Sequence, residues 1–579
     1  MKKAKLLTLS LGALLGLTAC GGNRIVHEVN QELADVLPTS EITIKFWHCL
    51  GQEKAKNLKK VIDKFNAKYK GSYFLDDSGS PGSATYDSLH EGIKTNISSG
   101  NVPALAIGYP DSFAEYMGTR EDGSNILRLN NFIFDTRTIS VNQVEYDEDS
   151  QTWVVKKDEH GNPVKEDIPL GIPEEEWNDF VTAYRDEGKG YQFEGYWSLP
   201  MYKSTEVMFY NLEYFMGYSD LNDETIGTNS SHVTYEVEEG VEKDVVIKDY
   251  YWDLVDTYKA LGKYYSSKHD EKVKALNAIN KFVTFVEGYT YEVPVKWADM
   301  VSLAQDMKDD RIEVFGQTQV QNENFIPVGY DSDSNLMISQ MAQRGIPYTT
   351  NENINVKSDH ILFNNPQAKD LLREIGGLID NKLLCTKYSI DQTGQTYTNK
   401  YFTAAEGAGG RCVMSIGSTG GATYQVTDDF AVEVAPVPYY GETPQYIQQG
   451  PSVCFFDNNN SKEINTGAWL FYKMLTDVES NTGLATENDY DPVKKSCLDT
   501  ITYDNWIKGA KLELLHHVPE ITHMPQVYNN QMTSPVFVGS SKCRTEIGNL
   551  IKVYAHQRST SIDQNFQDRF DSANSATRK

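Results

Sequence analysis

The stretch ITIKFWHCLGQEKAKNLKKVIDKFNAKYKG, residues 42–71, decides the fold class. From Ile42 to Trp47 every residue but Lys45 is β-branched or aromatic, which predicts a strand. Behind it Leu58, Val61, Ile62, Phe65 and Tyr69 fall at helical spacing, and Gly71 ends the run. Tyr86, Leu89, Ile93 and Ile97 mark a second amphipathic helix closed by Ser98-Ser99-Gly100. Pro103 then leads into a short strand from Ala104 to Tyr109. Strand, helix and strand in that order predict an α/β domain with parallel pairing.

The alternation returns farther along. Asn365 and Pro366 suit an N-cap and a first helical residue, with Ala368, Leu371, Leu372, Ile375, Leu378 and Ile379 as the apolar stripe. Strands are expected at Cys412 to Ile416 and Ala431 to Val437, and a helix at about Ile464 to Leu475. Two stretches read as insertions. Residues 141–190 carry 14 acidic and 5 basic side chains, which predicts a solvated surface excursion. Within it Thr152 to Lys156 and the turn His160-Gly161-Asn162-Pro163 read as a hairpin. Residues 219–292 hold an acidic strand pair near Thr234 to Ile247, with helices after it.

The whole chain has 579 residues, 81 acidic against 54 basic, and a net charge of −27. Its length suits several domains at roughly 150 residues each. Its acidity leaves no basic footprint for nucleic acid or an anionic membrane surface. A mean hydropathy of −0.49 excludes a polytopic membrane protein. The N-terminus differs from the rest. Met1 to Lys5 is basic, and the apolar run Leu6 to Leu17 is short of the ~20 residues that span a bilayer. The exit Leu17-Thr18-Ala19-Cys20-Gly21-Gly22 resembles a bacterial lipobox. Residues 1–19 are therefore expected to be a lipoprotein signal peptide. Cys20 becomes the lipidated, palmitate-bearing N-terminus, and residues 20–40 form a tether spanning roughly 25 Å. Two or more acyl chains anchor a protein stably, so the body faces out of the cytoplasm with a mature charge of −30.

The residues that could carry chemistry mostly fail their own tests. Asp331-Ser332-Asp333-Ser334-Asn335 imitates an EF-hand loop, but the sixth and twelfth positions are Leu336 and Ala342, so calcium is not expected. Gly417-Ser418-Thr419-Gly420-Gly421 has no Lys-Ser/Thr after it, which excludes a Walker loop and leaves a ligand-facing one. His516, His517 and His523 lack a carboxylate at matched spacing, so no metal is expected there. The cysteines Cys49, Cys385, Cys412, Cys454, Cys497 and Cys543 show no CxxC spacing. They read as buried thiols; an oxidising compartment permits a disulfide, which the spacing does not assign. No nucleophile elbow is present, and no catalytic residue or cofactor is expected.

Seven segments in register resemble the bacterial extracellular solute-binding proteins, family 1, from about residue 41 to about 556. They are Phe46 to Gln52; Tyr86 with Gly100-Asn101-Val102-Pro103-Ala104; Leu199 to Asn211 (LPMYKSTEVMFYN); Tyr330 to Asn335; Cys412 to Gly420; Asp489 to Val493; and Pro535 to Arg544. The resemblance implies an α/β, two-lobed periplasmic-binding-protein-like fold with crossing hinge segments and the two acidic surface insertions. Lobe I would comprise 41–205 plus 438–489, with its insertion at about 135–190. Lobe II would comprise 206–437 plus 490–579, with its insertion at about 219–292. The crossings fall near Ser204 to Met208, near Pro438 and near Tyr490.

The implied function is a non-enzymatic, monomeric substrate-binding lipoprotein of an ABC importer. It would capture a sugar or oligosaccharide between the lobes and deliver it to the permease subunits. Within the family the glycerol-3-phosphate-binding branch implies Tyr86, Ser204, Ser418 or Thr419, Gly450, Tyr490 and Arg544 as ligand contacts. Hydroxyls, a backbone N–H and a guanidinium fork suit a polyol or a phosphate, so a glycerol-phosphate or glycerophosphodiester ligand is the alternative. Trp47, Tyr86 and Tyr330 offer aromatic faces to a sugar. Where that branch has an acidic residue this chain has Pro110, and Asp111 one position later is expected to take its place. From another class, a surface glycan hydrolase or a glycan-binding adhesin could use the same cleft or the acidic insertions.

Overall fold

Strand order shows where the chain changes lobe. The computed structural model describes residues 32–577 apart from 81–84, 118–124, 192, 212–229, 239–240, 249–290, 292, 314–324, 353–356, 405–411, 428–431, 458–460, 501–516 and 523. Cys20, most of the tether, most of the second insertion, His516 and His523 lie outside the described residues. Among those described, no helix is long and apolar enough to cross a membrane.

The first sheet runs Tyr73–Asp76, Ile42–Trp47, Leu105–Gly108, Ser452–Phe455, Leu199–Pro200. Its first three strands are parallel, as the strand–helix–strand pattern requires. The helix Gln52–Lys68 makes the first crossover and buries Leu58, Val61, Ile62 and Phe65 against the sheet. The second helix, Tyr86–Ile97, opens on Thr85, whose hydroxyl accepts from Ser88 N. Ser452–Phe455 runs antiparallel to both of its neighbours, so it enters this sheet from the other lobe.

The second sheet runs Leu384–Thr386, Val328–Tyr330, Met414–Ser418, Ser204–Asn211, Tyr446–Gln449, Gln531–Met532. The strand Ser204–Asn211 is its axis. It pairs with 414–418 along one edge, and along the other with 446–449 at Ser204 and Thr205 and with Val432–Pro436 from Val207 onward. The helix Pro366–Asp380 covers this sheet; Asn365 caps it by accepting from Ala368 N at 2.9 Å, and the expected stripe is buried apart from the half-buried Leu378. The C-terminal helices Ser540–His556 and Ile562–Thr577 pack on each other over the same core.

The crossings sharpen the expected boundaries. The chain leaves lobe I at Pro200 and enters lobe II at Ser204. The return, expected near Pro438, runs instead through Gly450–Pro451, because Gln448 and Gln449 still pair with Thr205 and Ser204 while Ser452 already pairs with Gly108. Near Tyr490 the chain touches the first crossing, Lys203 and Asp491 exchanging backbone hydrogen bonds of 2.9 and 2.7 Å. It then goes back to lobe I, where Val181 N donates to Val493 O at 2.9 Å. The helix His517–Thr522 already packs on lobe II.

The first insertion is also more than a surface excursion. Residues 144–167 do form exposed or half-buried hairpin structure. Thr152–Val155, however, pairs with Val144–Asp147, and the His160–Pro163 turn closes a shorter hairpin through the Lys157–Pro163 bridge and the hydrogen bonds Asp158 N to Asn162 O and Val164 N to Lys156 O, each 2.9 Å. Beyond it Leu170, Ile172, Trp177 and Phe180 are buried in the lobe I core. A charge count averaged over the whole stretch conceals this, since the exposed acids Glu174 and Glu175 stand beside apolar residues that point inward.

Candidate functional site

The strands 42–47 and 105–108 end together at the boundary between the lobes. After the second of them Tyr109 and Pro110 open the helix Pro110–Met117, with Asp111 in its first turn. Facing it from lobe II is the first turn of the helix Ser540–His556, which carries Arg544. Between them lies a cavity of about 50 Å³, lined by Tyr109, Asp111 and Glu187 on one side and by Tyr348, Thr349, Gln448 and Arg544 on the other. Ligand pockets generally measure about 300–1,000 Å³. The cavity between the lobes is therefore smaller than a ligand pocket of that kind.

Arg544 is held from behind by a chain of hydrogen bonds. Its Nη2 donates to Asn335 Oδ1, and Asn335 Nδ2 donates to Glu206 Oε1 at 2.7 Å. Tyr330 OH donates to the other Glu206 oxygen at 2.5 Å. Glu206 sits on the crossing strand, so the lobe II sheet orients a guanidinium that meets lobe I. Burial pushes the Asp111 carboxyl up, and the Arg544 charge is the largest influence holding it back. Both amide atoms of Gln448 and the Thr349 hydroxyl are buried without a hydrogen-bond partner among the described residues. Each such group costs about 1–3 kcal/mol unless an occupant satisfies it, and a polyhydroxyl ligand has the donors and acceptors to do so.

An aromatic cluster adjoins this polar end. Tyr86 packs on Tyr109 with centroids 4.7 Å apart, and Tyr202 on Tyr490 at 4.3 Å. Lys54 stands 4.7 Å from the Tyr490 centroid and donates to Asn488 O at 3.1 Å and to Gly420 O at 3.4 Å in lobe II. A Cβ on Gly420 would meet the Tyr490 ring at 2.8 Å, so the glycine-rich turn is what lets this loop close over the ring.

Of the expected contacts, the structure gathers Tyr86, Asp111, Tyr490 and Arg544 around Tyr109, whose phenol responds to the last three. Ser204, Ser418 and Thr419 form a second group: Ser418 OH donates to Ser204 Oγ at 3.4 Å, and Thr205 N to Thr419 Oγ1 at 3.4 Å. Three others are placed apart from the cavity. Trp47 is 4% exposed in the lobe I core, and Tyr330 is 1% exposed in the lobe II core, occupied with Glu206. Gly450 has φ +94°, and a Cβ there would lie 2.8 Å from Lys203 Cα, so it serves the crossing. Gln448, Thr349, Tyr348, Tyr109, Tyr202 and Lys54 were not indicated by sequence. Residue type gave no signal for them, since an isolated Gln or Thr stands out only when its partners are known to be missing.

A larger cavity of about 850 Å³ lies on lobe I alone, beside Phe134, Trp177 and Tyr196. Arg185 and Lys189 stand over the Trp177 and Tyr196 rings, each at 5.0 Å, and cover faces that a sugar would use. The interlobe cleft, where unpartnered polar groups converge, is the better candidate.

Burial raises the carboxyls of Glu206 and Asp333 to about 7. Each binds its proton more tightly folded than unfolded, so its contribution to stability is full at low pH and is lost as pH rises through about 7. Relative to wild type, Glu206→Gln should therefore gain stability between pH 5 and pH 8, measured as urea midpoints. A difference that stays constant with pH would show that Glu206 is ionised throughout.

No protein-family model matches the chain, and no curated protein sequence matches it. Solved structures do. The cyclic α-maltosyl-1,6-maltose binding protein from Arthrobacter globiformis aligns with a TM-score of 0.54 at 14% identity, over 93% of this chain and 99% of that one. UgpB from Mycobacterium tuberculosis, in complex with glycerophosphocholine, gives 0.53 at 13% identity over 92% and 97%. The maltose/maltodextrin-binding domain MalE from Bdellovibrio bacteriovorus, bound to maltotriose, gives 0.52 at 10% identity over 93% and 100%. At these identities the likeness establishes the two-lobed α/β periplasmic-binding-protein fold.

Proposed function

We propose that the chain is an extracytoplasmic solute receptor, anchored through a lipidated Cys20, that captures a neutral sugar or oligosaccharide between its lobes and delivers it to an ABC importer. It works by binding and closure, without turnover. The observation that carries this is the interlobe cleft, where the Gln448 amide, the Thr349 hydroxyl and the Asp111–Arg544 charges meet beside tilted, closely packed tyrosines. Hinge closure around a ligand is an established repertoire for two-lobed binders. The hinge would be Lys203, Gly450–Pro451 and Tyr490–Asp491, with Ser204, Ser418, Thr419 and Tyr490 reaching the ligand as the lobes reclose.

A glycerol-phosphate or glycerophosphodiester ligand is the second reading. Arg544 favours it, as does the likeness to a glycerophosphocholine complex. The charge around the cavity weighs against it. Glu187 is paired with Lys203, which leaves Asp111 and the partly protonated Glu206 against Arg544, the one cation at the polar end among the described residues. A phosphate would enter a site with no net positive charge, whereas sugar hydroxyls suit mixed donors and acceptors.

The test is thermal denaturation of residues 23–577 against neutral mono- and oligosaccharides and glycerol phosphates. Ligand at about 100 times Kd should add roughly 2.7 kcal/mol. Shifts with neutral sugars alone are expected. Shifts with glycerol phosphates alone would transfer the assignment to the second reading, and release of product from a labelled oligosaccharide would replace the receptor with a hydrolase.

A further inference from the structure

We infer that Cys385 and Cys412 form a disulfide that staples lobe II behind the cleft. Their sulfurs stand 3.5 Å apart, in an apolar cluster with Val207, Phe209 and Phe402. Cys385 lies on the strand Leu384–Thr386 and Cys412 two residues ahead of Met414–Ser418, the strands that flank Val328–Tyr330. The Cys412 sulfur lies over the middle strand, which brings it to Cys385. The residue beneath them is Gly329, the direct ladder partner of Cys385. A Cβ on Gly329 would stand 3.2 Å from Cys412 Sγ and 2.9 Å from Thr398 Cβ. Glycine at that position leaves room for a bridge over the strand.

The bond would act on the site through Asp331. Thr398, between the two cysteines in sequence, donates its backbone N–H at 2.8 Å and its hydroxyl to Asp331 Oδ1. Asp331 follows Tyr330 directly, and its other oxygen accepts from Gln425, next to the turn Thr419–Tyr424. A bridge between 385 and 412 closes the loop that carries Thr398 and keeps that brace in place.

This inference rests on the extracytoplasmic location proposed above, since disulfides persist in oxidising compartments. The chemistry is thiol–disulfide exchange. One thiolate of the pair attacks a small-molecule or protein disulfide, forms a mixed disulfide and releases one thiol. The second cysteine then displaces the other thiol, so the pair loses two protons and two electrons and the donor disulfide is reduced to two thiols. Both cysteines are buried, at 2% and 5% exposure, so the bond is made as the chain folds and is thereafter shielded.

The experiment takes the full chain from cells quenched in acid and alkylated in denaturant, with protease shaving of intact cells in parallel. The expected result is a non-reduced peptide pair joining Cys385 to Cys412, about 2 Da lighter than the sum of its reduced halves. The melting temperature should fall on reduction in wild type and stay unchanged on reduction in Cys385→Ala and Cys412→Ala. A shaved, surface-exposed chain with both thiols alkylated would overturn the disulfide while leaving the location intact. A chain protected from shaving would overturn the location instead. Refolding in glutathione buffer would then decide the pair: linkage supports it, and free thiols overturn it.

Discussion

Glu187→Ala should cost the fold about 3–5 kcal/mol, the penalty for leaving one member of a buried ion pair without its partner. Lys203 is completely buried at the first crossing, and its ammonium donates to Glu187 Oε2, to Ser452 Oγ at 2.9 Å and to Gly450 O at 3.2 Å. Ser452 OH donates to the same Glu187 oxygen at 3.0 Å. One charge pair thus joins the end of the first insertion to two of the segments that pass between lobes. Burial pulls the Lys203 ammonium below its ordinary range, and the Glu187 carboxylate is the largest influence opposing that. Without Glu187 the lysine must either ionise in an apolar setting or give up its proton. Urea denaturation of Glu187→Ala checks this, and a loss below about 1 kcal/mol would show that the pair is dispensable. The double variant Glu187→Leu with Lys203→Met should recover most of the loss, because an apolar pair of similar volume is often neutral or stabilising. Replacing residues 143–164 by a two-residue turn is the control. Asn142 and Lys165 already face each other across the ladder, so that excision should cost little, although it removes much of the acidic stretch.

This contrast marks how far the sequence could be read. The strand–helix–strand run at 42–109 was legible because hydrophobic period and punctuation agree there, Gly71 and Gly100 stopping the two helices, and farther along Asn365-Pro366 starts another in the same way. The second crossing was not. Its position depends on which sheet Tyr446–Gln449 joins, and those residues suit either one. The insertion misled for a related reason, since net charge records what is exposed and says nothing of Trp177 or Phe180 beneath it. Within the candidate site, motif residues could be named from sequence, and the structure places Arg544 at the cavity and Tyr490 in the adjoining aromatic cluster. Gln448 and Thr349 matter because of what fails to pair with them in three dimensions, which no one-dimensional pattern records.

Arg544→Ala should lower affinity for the captured ligand by roughly 30- to 1,000-fold, about 2–4 kcal/mol, as truncation of one member of a desolvated, hydrogen-bonded charge network does. Arg544 itself is half-buried, while Glu206 and Asn335 behind it are buried. Two losses combine. The ligand loses a planar donor fork, and Asp111 loses the cation that most restrains its carboxyl. Behind it Asn335 Oδ1 loses its donor while Nδ2 remains bonded to Glu206. Arg544→Lys should recover little, because an ammonium cannot keep the bond to Asn335 while presenting a fork to the cleft. Asn335→Ala separates contact from positioning: Arg544 stays but loses its rear support, so affinity should fall by about tenfold, near 1.4 kcal/mol. Titration calorimetry on the sugar identified by thermal shift reads all three variants. Equal affinity in wild type and Arg544→Ala would remove this residue from the ligand, and the site would then centre on Gln448 and the tyrosines. A loss with Arg544→Ala that Arg544→Lys restores fully would point to a simple positive charge as the requirement, and so to the phosphate ligand that the acidic surroundings argue against.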